Sequence, residues 1–118
     1  MHWWRSIVQT ITTEELKKMR DHGEDFVLIN VLPEKEFQQE RIPDSKNIPV
    51  ESEDFVEEVE QAVGDKESKV VVYCASSTCD ASTKAAERLE AGGFSNVLAY
   101  EGGMKAWRES REPVLTGA

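Results

Sequence analysis

Residues 69–81 read KVVVYCASSTCDA, in which an apolar, β-branched run ends in a cysteine and continues into small polar residues. Such a run, without alternating polar residues, is typical of a strand that is covered on both faces. Residues 82–91 then place apolar side chains at helical spacing and stop at Gly92. This stretch therefore predicts a buried strand, a loop that begins after Cys74, and a helix.

The rest of the chain continues the alternation of strands and helices in both directions. Further strands are predicted at residues 6–11, 26–31 and 96–100, with a brief extended segment inside residues 42–49. Further helices are predicted to begin at a capping box on Thr12, at Pro33, at a cap on Ser52 and at Met104. Such alternation produces right-handed crossovers and a mostly parallel central sheet, here of about five strands, with helices on both faces. We expect one α/β domain over residues 6–118 and an N-terminal extension over residues 1–5.

The composition limits the partners of the chain. It has 118 residues, 39% hydrophobic and 31% charged, and 14 Lys+Arg against 23 Asp+Glu give a net charge of −9. Such a charge repels nucleic acid and anionic membrane surfaces. No apolar run approaches the roughly 20 residues that span a bilayer. A small anionic substrate remains compatible with the charge, because backbone amides can bind an anion locally.

The N-terminal residues and the cysteine content bear on location. Residues 1–6 lack the apolar stretch and cleavage site of a signal peptide. One ring of the pair Trp3 and Trp4 is expected to pack on the domain edge, and the pair is not expected to anchor in a membrane. The chain has two cysteines, too few for a disulfide-built secreted scaffold. These features favour a reducing cytoplasm.

Cys74 is the candidate nucleophile, because it ends the predicted buried strand and precedes small residues. A strand–loop–helix turn of this kind can direct backbone N–H groups at a sulfur, and those groups favour a thiolate or a bound anion. The other interpretation is that Cys74 is a small buried core residue without chemistry.

Several segments resemble the rhodanese-like domain family. They are LINV at 28–31, IPDSKNIP at 42–49, VVYC at 71–74, KAAERL at 84–89, GFSNV at 93–97, YEGGMKAW at 100–107 and PV at 113–114. The resemblance implies a sulfurtransferase in which Cys74 takes sulfane sulfur from thiosulfate or a persulfide donor and passes it to cyanide, a thiol or a protein. It also implies that the anion is bound by the amides of Ala75, Ser76, Ser77, Thr78 and Cys79, without a metal or an organic cofactor.

The loop after Cys74 departs from the family pattern in its charges. It has Ser77 where the family commonly has Gly, contains no Arg, and is longer than the common version. Asp80 opposes a thiolate unless its side chain turns away to cap the helix, which is the expectation here. Arg41 and Lys84 are the candidates for compensating charge near the site.

The role of Cys79 stays open at this point. If its side chain faces inward, it can resolve a Cys74 persulfide into a disulfide; if it faces outward, it is a passive small residue. Two other functions are therefore kept: a non-catalytic rhodanese-like binding module, and a dithiol redox protein that uses Cys74 and Cys79. A zinc site is not expected, because His2 and His22 are far from both cysteines in the sequence.

Overall fold

A computed structural model describes residues 8–117 of the chain. The strands are β1 (Gln9–Ile11), β2 (Val27–Asn30), β3 (Glu40–Arg41), β4 (Lys46–Asn47), β5 (Val70–Tyr73), β6 (Val97–Tyr100) and β7 (Leu115–Thr116). The helices are α1 (Thr13–Asp21), α2 (Glu34–Gln39), α3 (Phe55–Val63), α4 (Ala81–Ala91) and α5 (Gly103–Glu109). The predicted extension with Trp3 and Trp4, and the first two residues of the strand predicted at 6–11, lie outside the described residues.

The central sheet has five strands in the order β1-β6-β5-β2-β4, and each neighbouring pair is parallel. This confirms the predicted α/β fold class. β5 lies in the middle of the sheet, where Val71 pairs with Leu28 of β2 and with Leu98 of β6. The residue that follows β5 therefore emerges at the centre of the carboxyl edge, the side on which parallel sheets bind ligands.

Both faces of β5 are covered, as its uninterrupted apolar sequence predicts. Val70 and Val72 belong to a buried cluster that contains residues of α3 and α4, such as Phe55 and Leu89. Val71 and Tyr73 point to the opposite face and join a second buried cluster. That cluster contains Leu16 and Met19 of α1 and Met104 and Trp107 of α5. Because successive side chains of a strand point to opposite faces, the apolar residues of β5 contribute alternately to the two buried clusters.

The helix starts were predicted with mixed success. The capping box at Thr12 is confirmed, since its hydroxyl accepts from the Glu15 amide and the Glu15 carboxylate accepts from the Thr12 amide. The predicted cap at Ser52 is wrong: α3 begins later, with Asp54 at its N-cap position, and the Ser52 hydroxyl accepts from the Asp54 amide. The serine stabilises the turn that precedes the helix instead of the helix itself.

A second, two-stranded antiparallel sheet was not predicted. Glu40 and Arg41 of β3 pair with Thr116 and Leu115 of β7. Strands of two residues are too short for periodicity to predict them. Within residues 8–117, no helix has the length and apolarity needed to cross a membrane.

Candidate active site

The backbone after Cys74 is held by the start of α5. The Met104 amide donates to the Cys74 carbonyl and the Lys105 amide donates to the Ala75 carbonyl, each at 2.9 Å. Gly103 makes this approach possible, because it has φ +62° and a Cβ there would lie 2.4 Å from the Cys74 oxygen. The glycine pair ahead of a helix was the available signal for this close backbone approach.

The Cys74 sulfur lies beneath the loop formed by residues 75–80, called the Cys74 loop below. Cys74 has no exposed surface. Its thiol points at the carbonyl of Cys79, with Sγ 3.4 Å from that oxygen, and more distantly at the carbonyl of Ser76, at 3.9 Å. Carbonyl oxygens accept a proton-bearing thiol and repel a thiolate. This arrangement therefore favours the protonated form of Cys74.

The backbone amides near the two cysteines have several different partners. The Cys79 amide donates to the Ser76 carbonyl at 3.0 Å and closes a turn in the loop. The amide of Ser82, in the first turn of α4, acts to lower the pKa of Cys74. Amides of Ala75 and Ala81 interact with the Cys79 sulfur. Amide groups thus act on both sulfurs.

The pKa of Cys74 is raised above its ordinary value, chiefly because burial disfavours the charged thiolate. The contact with the Cys79 side chain and the charge of that side chain raise the pKa further. The amide and hydroxyl of Ser82 act in the opposite direction without overcoming burial. The thiolate-favouring environment expected from the sequence is therefore not the environment of Cys74 in this loop conformation.

Cys79 is half-buried and its pKa is lowered. Partial burial acts to raise this pKa, but the contact with Cys74 and the amides of Ala81 and Ala75 outweigh it. The negative charge of Asp80 opposes them. Of the two thiols, Cys79 therefore ionises more readily. Both cysteines are free in the structure.

The charged residues singled out from the sequence have partners of their own. Asp80 occupies the N-cap position of α4, but its side chain makes no capping hydrogen bond, so the expected cap is wrong. It pairs with Lys84 at 3.5 Å on the surface. Arg41 donates to the Gly117 carbonyl at 2.7 Å and lies over the Phe37 ring. Neither Arg41 nor Lys84 lines the cavity that borders the Cys74 loop.

That cavity, called the loop cavity below, has a volume of about 290 Å³. Its lining includes Ala75 and Ser76 of the Cys74 loop and residues Leu32, Glu36, Gln39, Glu40, Met104, Lys105 and Arg108. Arg108 is paired with Glu40 at 2.5 Å. Lys105 is exposed and takes part in no ion pair among residues 8–117. Sequence reasoning missed both cations, because only the docking of α5 against the loop brings them here.

Asn30 forms hydrogen bonds that hold the backbone beside the site. It is fully buried at the end of β2, where its Oδ1 accepts from the Leu32 amide at 2.9 Å. Its carbonyl accepts from the Ile48 amide and from the Asn47 side chain. The residue thus stabilises the loop after β2, which borders the loop cavity through Leu32. Within residues 8–117, no three His, Cys, Asp or Glu side chains are grouped as metal ligands would be.

Fold and site together define a class of protein: a parallel α/β domain whose central strand ends in a buried cysteine, beneath a loop that leads into a helix. The chain belongs to the rhodanese-like domain family, whose family model matches residues 12–110.

Two curated relatives share about a third of their aligned residues with the chain. Thiosulfate sulfurtransferase GlpE of Pseudomonas savastanoi pv. phaseolicola is 33% identical over 99 residues, covering 83% of this chain and 85% of the relative. Adenylyltransferase and sulfurtransferase MOCS3-2 of Zea mays is 33% identical over 106 residues, covering 87% of this chain. The chain spans only 22% of that maize protein. The resemblance to sulfurtransferases is therefore carried by one domain.

Solved structures show the same fold. A rhodanese with anions from E. coli is 30% identical and has a TM-score of 0.64, with 78% of this chain and 99% of that chain covered. A thiosulfate sulfurtransferase from Pseudomonas aeruginosa has a TM-score of 0.82 at 22% identity. The match covers 94% of this chain and 21% of the Pseudomonas chain.

Proposed function

We propose that the protein is a sulfurtransferase in which Cys74 carries sulfane sulfur as a persulfide. The observation that carries this proposal is the position of Cys74 at the carboxyl end of the central strand, under a loop that borders a 290 Å³ cavity. The family and the sulfurtransferase relatives support it.

The proposed reaction has two transfers. The Cys74 thiolate attacks the outer sulfur of thiosulfate; a Cys74 Sγ–S bond forms, the S–S bond of the donor breaks, and sulfite leaves with the electron pair. The outer sulfur of the persulfide is then attacked by an acceptor, such as cyanide, a thiol or an acceptor protein, and Cys74 leaves as a thiolate. Neither transfer requires a metal or an organic cofactor.

The Cys74 loop must move during this reaction. Because Cys74 has no exposed surface, a donor reaches Sγ only when the contacts from the thiol to the carbonyls of Cys79 and Ser76 are broken. The loop cavity is the approach that the structure offers, since Ala75 and Ser76 form part of its wall. Lys105 supplies positive charge there for a dianionic donor such as thiosulfate.

The test is thiosulfate-to-cyanide turnover by the wild-type protein and by Cys74→Ala, with unfolding curves to establish that both are folded. We expect thiocyanate formation by the wild type and loss of at least about a thousandfold in the variant, as when a covalent nucleophile is removed. Equal turnover by the two proteins contradicts the assignment of Cys74. No turnover by a folded wild type with thiosulfate or with a persulfide donor indicates the non-catalytic binding module.

A further inference from the structure

The Cys74 loop folds a second thiol back onto the first. The turn closed by the Cys79 amide on the Ser76 carbonyl brings residue 79 next to Cys74, five positions earlier in the chain. The Cys79 carbonyl lies 3.4 Å from the Cys74 sulfur. The Cys79 side chain packs against the same buried cluster that includes Cys74. Cys79 thus packs against the core beside Cys74, and the two side chains interact.

We propose that Cys79 is a resolving thiol, which converts the Cys74 persulfide into a Cys74–Cys79 disulfide and releases the transferred sulfur as hydrosulfide. The inference rests on the proposed function, because it requires the persulfide to form. It adds to that function a second outcome for the bound sulfur, in which sulfane sulfur is reduced and the protein is oxidised.

The step balances without an external oxidant. The Cys79 sulfur attacks Cys74 Sγ, the inner sulfur of the persulfide; a disulfide bond forms between the two residues. The bond from Cys74 Sγ to the outer sulfur breaks, and that sulfur leaves with the electron pair and the proton of the Cys79 thiol, as hydrosulfide. A dithiol reductant then reduces the disulfide, supplying two electrons and two protons and becoming a disulfide itself.

The local environment suits Cys79 to this role. Attack in thiol–disulfide exchange depends on the thiolate fraction of the incoming sulfur. Interactions with the amides of Ala81 and Ala75 and with Cys74 lower the pKa of Cys79, against the effects of burial and of the Asp80 carboxylate. Its attachment to the same short loop gives it a local concentration that a thiol in solution does not reach. The more ionised thiol is thus next to the sulfur that becomes electrophilic.

The experiment follows one round of sulfur loading. Reduced wild type, Cys79→Ser, Cys79→Ala and Cys74→Ser are treated with thiosulfate, freed of excess donor and quenched with an alkylating reagent at increasing times. Intact mass then distinguishes persulfide, disulfide and unmodified protein, and hydrosulfide is measured in the same samples. Two Cys79 variants are used so that the result does not depend on one replacement side chain.

We expect the wild type to lose its persulfide while gaining the disulfide and releasing one equivalent of hydrosulfide. In both Cys79 variants the persulfide should persist at least about tenfold longer, because the tethered thiol is absent. Cys74→Ser should take up no sulfur. The resolving role is overturned if the wild-type persulfide persists as long as the persulfide of the Cys79 variants and no disulfide forms. That result does not affect the proposed sulfurtransferase function. Absence of sulfur uptake in all four proteins overturns the proposed function, and the resolving role with it.

Discussion

Cys74 and Cys79 belong to one loop and have opposite electrostatic environments. Cys74 is fully buried and faces two carbonyl oxygens, whereas Cys79 is half-buried and receives two backbone amides. Burial raises the pKa of Cys74. Partial burial also acts to raise the pKa of Cys79, but the contact with Cys74 and the two amides lower it. The residue that the family resemblance identifies as the sulfur carrier is therefore the less ionised of the two.

A pH dependence follows for the first transfer. Only the thiolate attacks the donor, and the pKa of Cys74 is raised, so the thiolate fraction increases as pH rises through neutrality into the alkaline range. We expect the rate of persulfide formation in Cys79→Ser, which isolates Cys74, to rise up to about tenfold per pH unit below that pKa. Single-turnover loading at a series of pH values measures it. A rate that is already constant at neutral pH contradicts a protonated Cys74.

At the scale of elements, the site depends on α5 as much as on β5. The first amides of α5 bind the carbonyls of Cys74 and Ala75, and its side chains Lys105 and Arg108 line the loop cavity. α5 also buries Trp107 in the core, where its indole donates to the Pro113 carbonyl at 2.8 Å. Packing of this helix thus sets the position of the Cys74 loop.

Gly103→Ala should displace that loop. The new Cβ would lie 2.4 Å from the Cys74 oxygen, at φ +62°. Gly23→Ala is the matched control, because Gly23 has φ +67° and nothing within 4 Å of its Cβ position. We expect a loss of about 1 kcal/mol in the free energy of unfolding for the control, from the left-handed backbone alone. Gly103→Ala should lose roughly 1–3 kcal/mol more and most of its sulfur uptake.

Denaturant unfolding and single-turnover loading measure these two effects. Equal losses in the two alanine variants would show that the contact between Gly103 and the Cys74 carbonyl does not constrain the loop.

Lys105→Gln tests the charge of the loop cavity. Lys105 lines that cavity, is exposed, and has no ion-pair partner among residues 8–117. Removal of its charge should therefore weaken the binding of a dianionic donor. We expect KM for thiosulfate to rise about threefold or more while kcat changes little, the pattern of lost ground-state binding. Lys18→Gln, an exposed position on α1, removes the same charge elsewhere. A similar rise in KM for both variants would indicate an effect of net charge only.

At the scale of the whole molecule, two apolar clusters sandwich the sheet, and the second cluster contains buried tyrosines. Tyr73 is fully buried, and its hydroxyl accepts from the Ile42 amide at 3.1 Å and lies 2.9 Å from the Ser45 hydroxyl. The Tyr100 hydroxyl lies 2.5 Å from that of Thr13. Burial raises the pKa of both tyrosines, so the folded protein favours their neutral form.

Stability should therefore fall at high pH. A tyrosine whose pKa is raised on folding contributes to the free energy of unfolding. This contribution is fully present below the pKa of the unfolded state, which is about 10, and is lost as pH rises through the pKa of the folded state. We expect the free energy of unfolding to decrease above about pH 10. Tyr73→Phe should lower stability at neutral pH by about 1 kcal/mol, through the lost hydrogen bonds, yet flatten the alkaline decrease. Denaturant unfolding at several pH values measures this, and an unchanged alkaline slope contradicts it.

Local patterns were sufficient for the main architecture. The uninterrupted apolar runs that became β2 and β5, the capping box of α1 and the helical spacing of α4 each depend on neighbouring residues, so periodicity predicts them. They also placed Cys74 at the end of a buried strand. The antiparallel β3–β7 pair and the start of α3 were not predicted correctly, because two-residue pairing and the turn at Ser52 depend on contacts that periodicity does not contain.

The sequence alone determined a parallel α/β domain with two thiols in one loop after its most apolar strand. Only the tertiary structure decided that Cys74 faces carbonyl oxygens, that Cys79 packs against the core beside it, and that Lys105, not Arg41 or Lys84, lines the neighbouring cavity. The physical reason is distance along the chain. The amides that anchor the Cys74 loop come from α5, about thirty residues later, and their direction depends on how that helix packs against the sheet.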